Sequence, residues 1–388
     1  MIDFEYYNPA RIIFGADPYD KVEKFLRSKG VKTLLMVYSG DFIKELGIYQ
    51  KVEEICRHLD ITFIANGSVV PNPKVELVRE LIAIGKEKQV DFILAVGGGS
   101  SSDTAKAVSV GIPYEKDVWD FFVGNAQIEK AVPIGVISTI PASGSETSNA
   151  AIISNGLHKV GIEDEKIIPQ FAVMNPEYTR TLPKYQSACG ISDILSHLLE
   201  RYFTNTKHAD TTDFLIEGAI KALLLNGKRV MDDPDDYHAR SEVQWLASIA
   251  HNNLLDTGRE SDWASHRVEH ELSAQYGITH GEGMAVVMLG YMKYISERHP
   301  AKMAQLANRL FGFDYHDHSE KEMSLLLVDR FYEFYKKLGL KTSLREFGID
   351  DVHFEEMANR ATADDTRPVG HYYPLDVKRF VEVLRLTL

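Results

Sequence analysis

The chain has 388 residues, of which 44% are hydrophobic and 26% charged, and a formal net charge of −13. That length suits two domains better than one core, and the composition is that of a soluble globular protein. The negative balance argues against nucleic acid or an anionic membrane as a partner. No apolar run reaches the roughly 18 residues of a transmembrane helix, and the acidic, aromatic start MIDFEYYNPARIIFG lacks the basic region of a signal peptide. Cys56 and Cys189 lie far apart without CxxC spacing and read as reduced thiols, so a cytoplasmic location is expected.

In chain order, RIIFG reads as a short strand and Lys21 to Lys29 as an amphipathic helix. TLLMVY reads as a buried strand, followed by Ser39-Gly40-Asp41 and a helix through about Leu59. ITFIANG is the next strand, and Pro73 is expected to open a helix at its first position. DFILAV runs into Gly97-Gly98-Gly99-Ser100, with a helix from about Ser102, and short strands follow around PIGVIST and AVMN. Continuous apolar strands alternating with helices predict a parallel sheet covered on both faces. The expected first domain, residues 1–182, is α/β and dinucleotide-binding.

Past Leu182-Pro183 the texture becomes helical, with periodic segments at Phe214–Leu225, Glu242–Leu254, Met284–Arg298 and Glu322–Leu338. Residues 183–388 are therefore expected to form an all-α domain. The acidic run at Asp232, Asp233, Asp235 and Asp236 reads as a solvated turn between helices, since it lacks the glycine and closing glutamate of a calcium loop.

Two loops could hold a phosphorylated cofactor. In AVGGGSSSD, glycines permit close approach of a pyrophosphate, and a helix start offers free N–H groups. The pattern fails the strict GxGxxG fingerprint, so by itself it equally describes an ordinary tight turn. The second loop, Ser138 to Thr147, is rich in hydroxyls that would also serve as a plain helix cap.

The metal-ligating residue types are more specific. Asp193 and His197 are four apart in GISDILSHLLE, on one face of a helix. His266, His270 and His280 follow in SHRVEHELSAQYGITHG. On one continuous helix His266 and His280 would be about 21 Å apart, so the chain must turn between them, and Gly277 is where it can. Together these residues can supply a four-ligand N₃O site for a divalent transition metal, with one histidine to spare for proton transfer. Any one of the histidines reads as an ordinary surface or core residue among the fourteen in the chain; the set reads as a metal centre.

With NPARIIFG, VGGGSSSDTAK, SGSET, GISDILSHLLE and the H-x₃-H-x₉-HG run, the sequence resembles the iron-containing (group III) alcohol dehydrogenases almost from end to end. The nearest branch in pattern is that of butanol dehydrogenases and broad-range aldehyde reductases. The resemblance implies a dehydroquinate synthase-like fold, with a helical metal-binding domain after the α/β one. It implies Asp193, His197, His266 and His280 as metal ligands and His270 as the proton-relay residue. It also implies Gly98, Gly99 and Ser100 at the pyrophosphate, Asp103 beside the nicotinamide end, and Asn72, Thr139, Ser143 and Lys159 as further cofactor contacts. Ser143 stands where a threonine is common. Ser39-Gly40 falls where NAD-specific members place a ribose-binding aspartate, which favours NADP(H), although Asp41 is one residue away. The implied metal is Fe²⁺, with Zn²⁺ or another divalent transition ion also suited to the donors. The expected activity is hydride transfer between the nicotinamide and a primary alcohol or aldehyde such as butanol or butanal, in a homodimer. A polyol dehydrogenase of the glycerol type and a non-catalytic metal-stabilised binding protein are the alternatives.

Overall fold

A computed structural model describes residues 1–388. The chain divides into two compact units, Tyr7–Leu182 and Pro183–Leu388, the second joined by Met1–Tyr6. The first six residues therefore belong with the helical unit rather than the α/β one, and the Ile2 N–H donates to the Gly258 carbonyl (3.0 Å).

The α/β unit is built on a six-stranded parallel sheet. Its strands are β1 (Arg11–Phe14), β2 (Thr33–Tyr38), β3 (Thr62–Asn66), β4 (Phe92–Gly97), β5 (Ile134–Ser138) and β8 (Phe171–Met174), in the order β1-β8-β5-β4-β2-β3. TLLMVY and FILAVG are buried at every position, as central strands covered on both faces must be. The remaining strands, β6 (Ala150–Asn155) and β7 (His158–Glu163), form a separate antiparallel hairpin turned at Gly156-Leu157. Gly156 has φ +56°. This hairpin is absent from the strands expected of the sequence, although Asn155-Gly156 is a turn signal.

Several local expectations shift. The single helix expected after Asp41 is two, Phe42–Glu45 and Ile48–His58, broken at Gly47 with φ +72°. Pro73 lies outside the next helix, which is Val75–Glu87. Its carbonyl instead accepts the N–H of Ser154 (2.8 Å) on the hairpin. The glycine loop enters its helix at once, at Gly99, three residues before the expected start.

The strand order reverses between β2 and β4, since the chain runs outward from β2 to β3 and the other way from β4 to β5. Ligands of open α/β sheets bind outside the carboxyl ends of strands at such a switch point. Ser39-Gly40 and Gly97–Ser100 flank it.

The helical unit packs around one apolar cluster that includes Leu195, Leu198, Val268, Leu272, Met288 and Tyr291. Three of its helices carry the expected metal ligands: Lys184–Tyr202, Ala264–Tyr276 and His280–Ser296. The turn demanded by the His266 to His280 spacing is present, because the second helix ends at Tyr276 and Gly277 caps it with φ +69°. No helix of the chain is long and apolar enough to cross a membrane.

Candidate functional site

In the helical unit, Asp193 and His197 sit one turn apart on Lys184–Tyr202, both buried. Asp193 Oδ1 faces three imidazole nitrogens: His197 Nδ1 at 3.6 Å, His280 Nε2 at 3.6 Å and His266 Nε2 at 3.8 Å. A tetrahedral ion with bonds of about 2.1 Å holds its ligands about 3.4 Å apart, and donor atoms of Asp193, His266 and His280 lie within 4.8 Å of one another, while His197 approaches Asp193 without joining that mutual triplet. Asp193 Oδ1, His197 Nδ1 and His266 Nε2 are buried without a hydrogen-bond partner. Buried polar atoms are normally satisfied; a divalent cation in the Asp193, His266 and His280 triplet would satisfy Asp193 and His266, with His197 Nδ1 3.6 Å from the same Asp193 oxygen. The residues fit the metal that the sequence implies.

His270 stands beside this group. Its ring centroid is 5.7 Å from that of His280 and 6.3 Å from that of His266. It forms a second convergence of donor atoms with Glu269 and His280, apart from the triplet of Asp193, His266 and His280.

Around the donors lie Glu200, Glu269, His251 and Trp263, none of them among the expected ligands. Glu200, fully buried, pairs with His266 Nδ1, and Glu269, also fully buried, pairs with His280 Nδ1. Glu200 follows His197 by three and Glu269 follows His266 by three, but that spacing does not point to the histidines they pair with, which lie on other helices. His251 stacks on His197 at 4.5 Å between centroids. Trp263, three residues before His266, turns its ring edge-on to that histidine (5.3 Å) with the Arg201 guanidinium 4.6 Å over it. Its backbone is left-handed, at φ +66°, a costly conformation for a bulky residue.

Electrostatics differ between the imidazoles. Burial holds His197 well below the ordinary histidine range, reinforced by the neighbouring His251 and His266. Burial also pushes His266 down, but Glu200 and then Asp193 outweigh it and raise this group to about 9.

In the α/β unit, the residues expected to hold the cofactor gather at the carboxyl ends of four strands. Ser39 and Gly40 follow β2, Asn72 lies beyond β3, Gly98 to Ser100 follow β4, and Thr139 and Ser143 follow β5. The amides of Gly99 and Ser100 belong to the first turn of helix Gly99–Gly111 and have no acceptor within it. The glycines also serve packing, because a Cβ on Gly99 would stand 2.5 Å from Ser143 Oγ. Thr139 is fully buried, and its N–H donates to Gly97 O (2.9 Å). Lys159, on β7, is buried and contributes to the electrostatic environment of Asp103.

Asp103 is engaged with the protein itself. Its Oδ1 accepts from Ser145 Oγ (2.6 Å) and its Oδ2 from the Ile152 N–H (3.2 Å). Beneath it, fully buried Lys106 donates to Ser145 Oγ (2.9 Å), Ser148 O (2.9 Å), Ser148 Oγ (3.1 Å) and Ala150 O (2.8 Å). The two side chains lock the 145–152 segment against the helix of the glycine loop. Sequence reasoning passes over Lys106 because a lysine three residues after Asp103 looks like a solvated helix position. Burial lowers Lys106 to about 8 and raises neighbouring Glu146 to about 7.

Comparison with known proteins agrees with both halves. The iron-containing alcohol dehydrogenase family profile matches residues 9–176, and the C-terminal profile of the Fe-containing family matches residues 187–388. The chain belongs to the iron-containing alcohol dehydrogenase family, a class of metal-dependent, NAD(P)-linked enzymes interconverting alcohols and aldehydes. Among its relatives, NADH-dependent butanol dehydrogenase A of Clostridium acetobutylicum is 34% identical over 99% of both chains. NADPH-dependent aldehyde reductase YqhD of Escherichia coli is 30% identical over 98% of both. The crystal structure of NADH-dependent butanol dehydrogenase A from Thermotoga maritima superposes with a TM-score of 0.95 at 34% identity, covering 100% of this chain and 99% of that one.

Proposed function

We propose that the chain is an NADP(H)-preferring aldehyde reductase and alcohol dehydrogenase for short primary substrates of the butanal and butanol type. In this reading Asp193, His197, His266 and His280 hold a divalent ion, Fe²⁺ first and Zn²⁺ second, and His270 moves the proton. The observation that carries it is the convergence of three imidazole nitrogens on the buried, unpartnered Asp193 Oδ1. When bound, the ion supplies Lewis-acid polarisation of the substrate oxygen during hydride transfer to or from the nicotinamide.

The chain's own groups do the rest. His197 stacks on His251 and turns Nδ1 toward Asp193, where it would serve as a donor. His270, next to His280, passes a proton between the substrate oxygen and solvent. Gly98, Gly99 and Ser100 present helix-start amides to the pyrophosphate, while Asn72, Asp103, Thr139, Ser143 and Lys159 shape the rest of the cradle, Asp103 chiefly by fixing the loop that carries Ser145.

Relatives named for NADH and for NADPH both occur, so the cofactor preference rests on the end of β2. Ser39 and Gly40 put no carboxylate at the ribose position. Asp41 is paired with a lysine, its Oδ1 3.0 Å from Lys44 Nζ, which lessens its repulsion of a 2′-phosphate. The substrate assignment rests on the relatives' names. Initial rates with butanal and with glycerol, each measured with NADP(H) and NAD(H), test it. Butanal with NADPH is expected to be the fastest pair, and faster oxidation of glycerol with NAD⁺ would replace this reading by a polyol dehydrogenase.

A further inference from the structure

We infer that Glu200 and Glu269 are positioning residues that fix which nitrogen of His266 and His280 is left to bind the metal, and that they differ in kind: only Glu200 must be a carboxylate. The inference rests on the metal reading above and adds to it two residues and an asymmetry.

Glu200 takes donors on both oxygens. Its Oε1 accepts the backbone N–H groups of Ser265 and His266 (3.2 Å for the latter) at the first turn of helix Ala264–Tyr276. Its Oε2 accepts from His266 Nδ1. An ionised carboxylate only accepts, so once a metal displaces one ring proton the remaining one stays on Nδ1 and the lone pair is on Nε2, the atom that faces Asp193. An amide cannot reproduce this. If a glutamine turned its oxygen to the two backbone donors, its NH₂ would face Nδ1 and drive the ring proton onto Nε2, where it blocks coordination. If it flipped, its NH₂ would oppose two buried N–H groups and leave them unsatisfied, at considerable cost.

Glu269 is placed differently. Its Oε2 accepts from His280 Nδ1, leaving His280 Nε2 toward Asp193. Its Oε1 meets a hydroxyl rather than backbone amides, that of Ser273, which also lies 3.1 Å from the Ile278 carbonyl. A hydroxyl can donate and accept. A glutamine here keeps its oxygen on His280 Nδ1–H and gives an N–H to Ser273 Oγ, whose own proton turns to Ile278 O. The ring tautomer survives. Gly283 leaves the space, since a Cβ there would stand 2.8 Å from Glu269 Oε1.

The test is Co²⁺ binding to chelator-stripped wild type, Glu200→Gln, Glu269→Gln and Glu269→Leu, read as Kd by competition and as the visible absorption of the bound ion, with thermal melting of the stripped proteins as the fold control. A hydrogen-bond partner that orients a metal ligand is typically worth 10–100-fold in metal affinity. The expectation is therefore a roughly 10–100-fold weaker Kd and an altered spectrum for Glu200→Gln and Glu269→Leu, against about threefold or less and an unchanged spectrum for Glu269→Gln. The comparison of Glu269→Gln with Glu269→Leu stands even if Glu200→Gln fails to fold. Near-equal binding by wild type and Glu200→Gln, by Glu200→Gln and Glu269→Gln, or by both Glu269 variants would overturn the inference while leaving the metal site intact. Absence of Co²⁺ binding by wild type would overturn both.

Discussion

Gly281 lies against the peptide of Cys189: a Cβ at Gly281 would stand 2.1 Å from the Cys189 carbonyl oxygen. Cys189 is one helical turn before Asp193, and Gly281 directly follows His280, so this contact sets how close His280 comes to Asp193. The His-Gly pair thus has a packing reason. The Gly281→Ala variant must separate helices Lys184–Tyr202 and His280–Ser296. Overpacking of this kind costs about 1–3 kcal/mol. A lower melting temperature together with weaker metal retention on dialysis is expected, and a variant that melts and retains metal like the wild type would show that the contact can be relieved without moving His280.

His270 and His266 are expected to behave differently although they are four residues apart. His270→Ala should lower kcat by about 100-fold or more, the scale of general acid–base catalysis, with metal content unchanged. His266→Ala should lose metal and activity together. Metal analysis of the purified variants decides the matter. Loss of metal in His270→Ala would move the centre to the neighbouring group of Glu269, His270 and His280.

In the proposed NADP(H) reading, cofactor preference depends on the Asp41–Lys44 pair. The Asp41 side chain is 84% exposed, so it can swing once released. In Lys44→Met the carboxylate is freed and a nearby positive charge is lost. The ratio of kcat/KM for NADPH over NADH should fall roughly fivefold, the scale of one exposed ion pair, and the fall should shrink at high salt. An unchanged ratio in steady-state kinetics would remove the Asp41–Lys44 pair from the explanation of specificity.

Glu146 predicts a pH dependence of stability in the α/β unit. Burial raises its carboxyl from the ordinary 4.5 to about 7, so the folded state binds the proton more tightly than the unfolded one. Its contribution is then most favourable below pH 4.5, declines as pH rises to about 7, and is constant above, by at most about 3 kcal/mol. Glu146→Gln removes the titration. The melting temperature of this variant relative to wild type should rise between pH 4.5 and 7 and then level off. A difference that stays flat across this range would show that Lys106 neutralises the carboxylate fully.

Much of the fold was legible because its signals are local. TLLMVY and DFILAV announce central strands by unbroken apolar character, and the spacing of His266 and His280 forces a turn that Gly277 makes. The hairpin Ala150–Glu163 was missed because its strands mix alanines, serine and lysine without strong alternation, although Asn155-Gly156 marks its turn. The helix break at Gly47 depends on one left-handed residue inside an otherwise periodic run. At the site, residue types that bind metals stand out in a sequence, whereas their supports do not. Glu200 and Lys106 read as ordinary solvated helix positions, and only the packing of other helices and loops over them shows that each is buried with its polar atoms engaged.

In the proposed reading one divalent ion, held by Asp193 and three histidines, makes this chain an aldehyde reductase. The rate of butanal-dependent NADPH oxidation, followed as chelator-stripped protein is titrated anaerobically with Fe²⁺ or Zn²⁺ alongside Asp193→Ala, decides it. Negligible rate is expected without metal, with a rise that saturates at one ion per chain and no recovery in Asp193→Ala at the same metal concentrations. Full activity in the stripped wild type would rule out a catalytic ion.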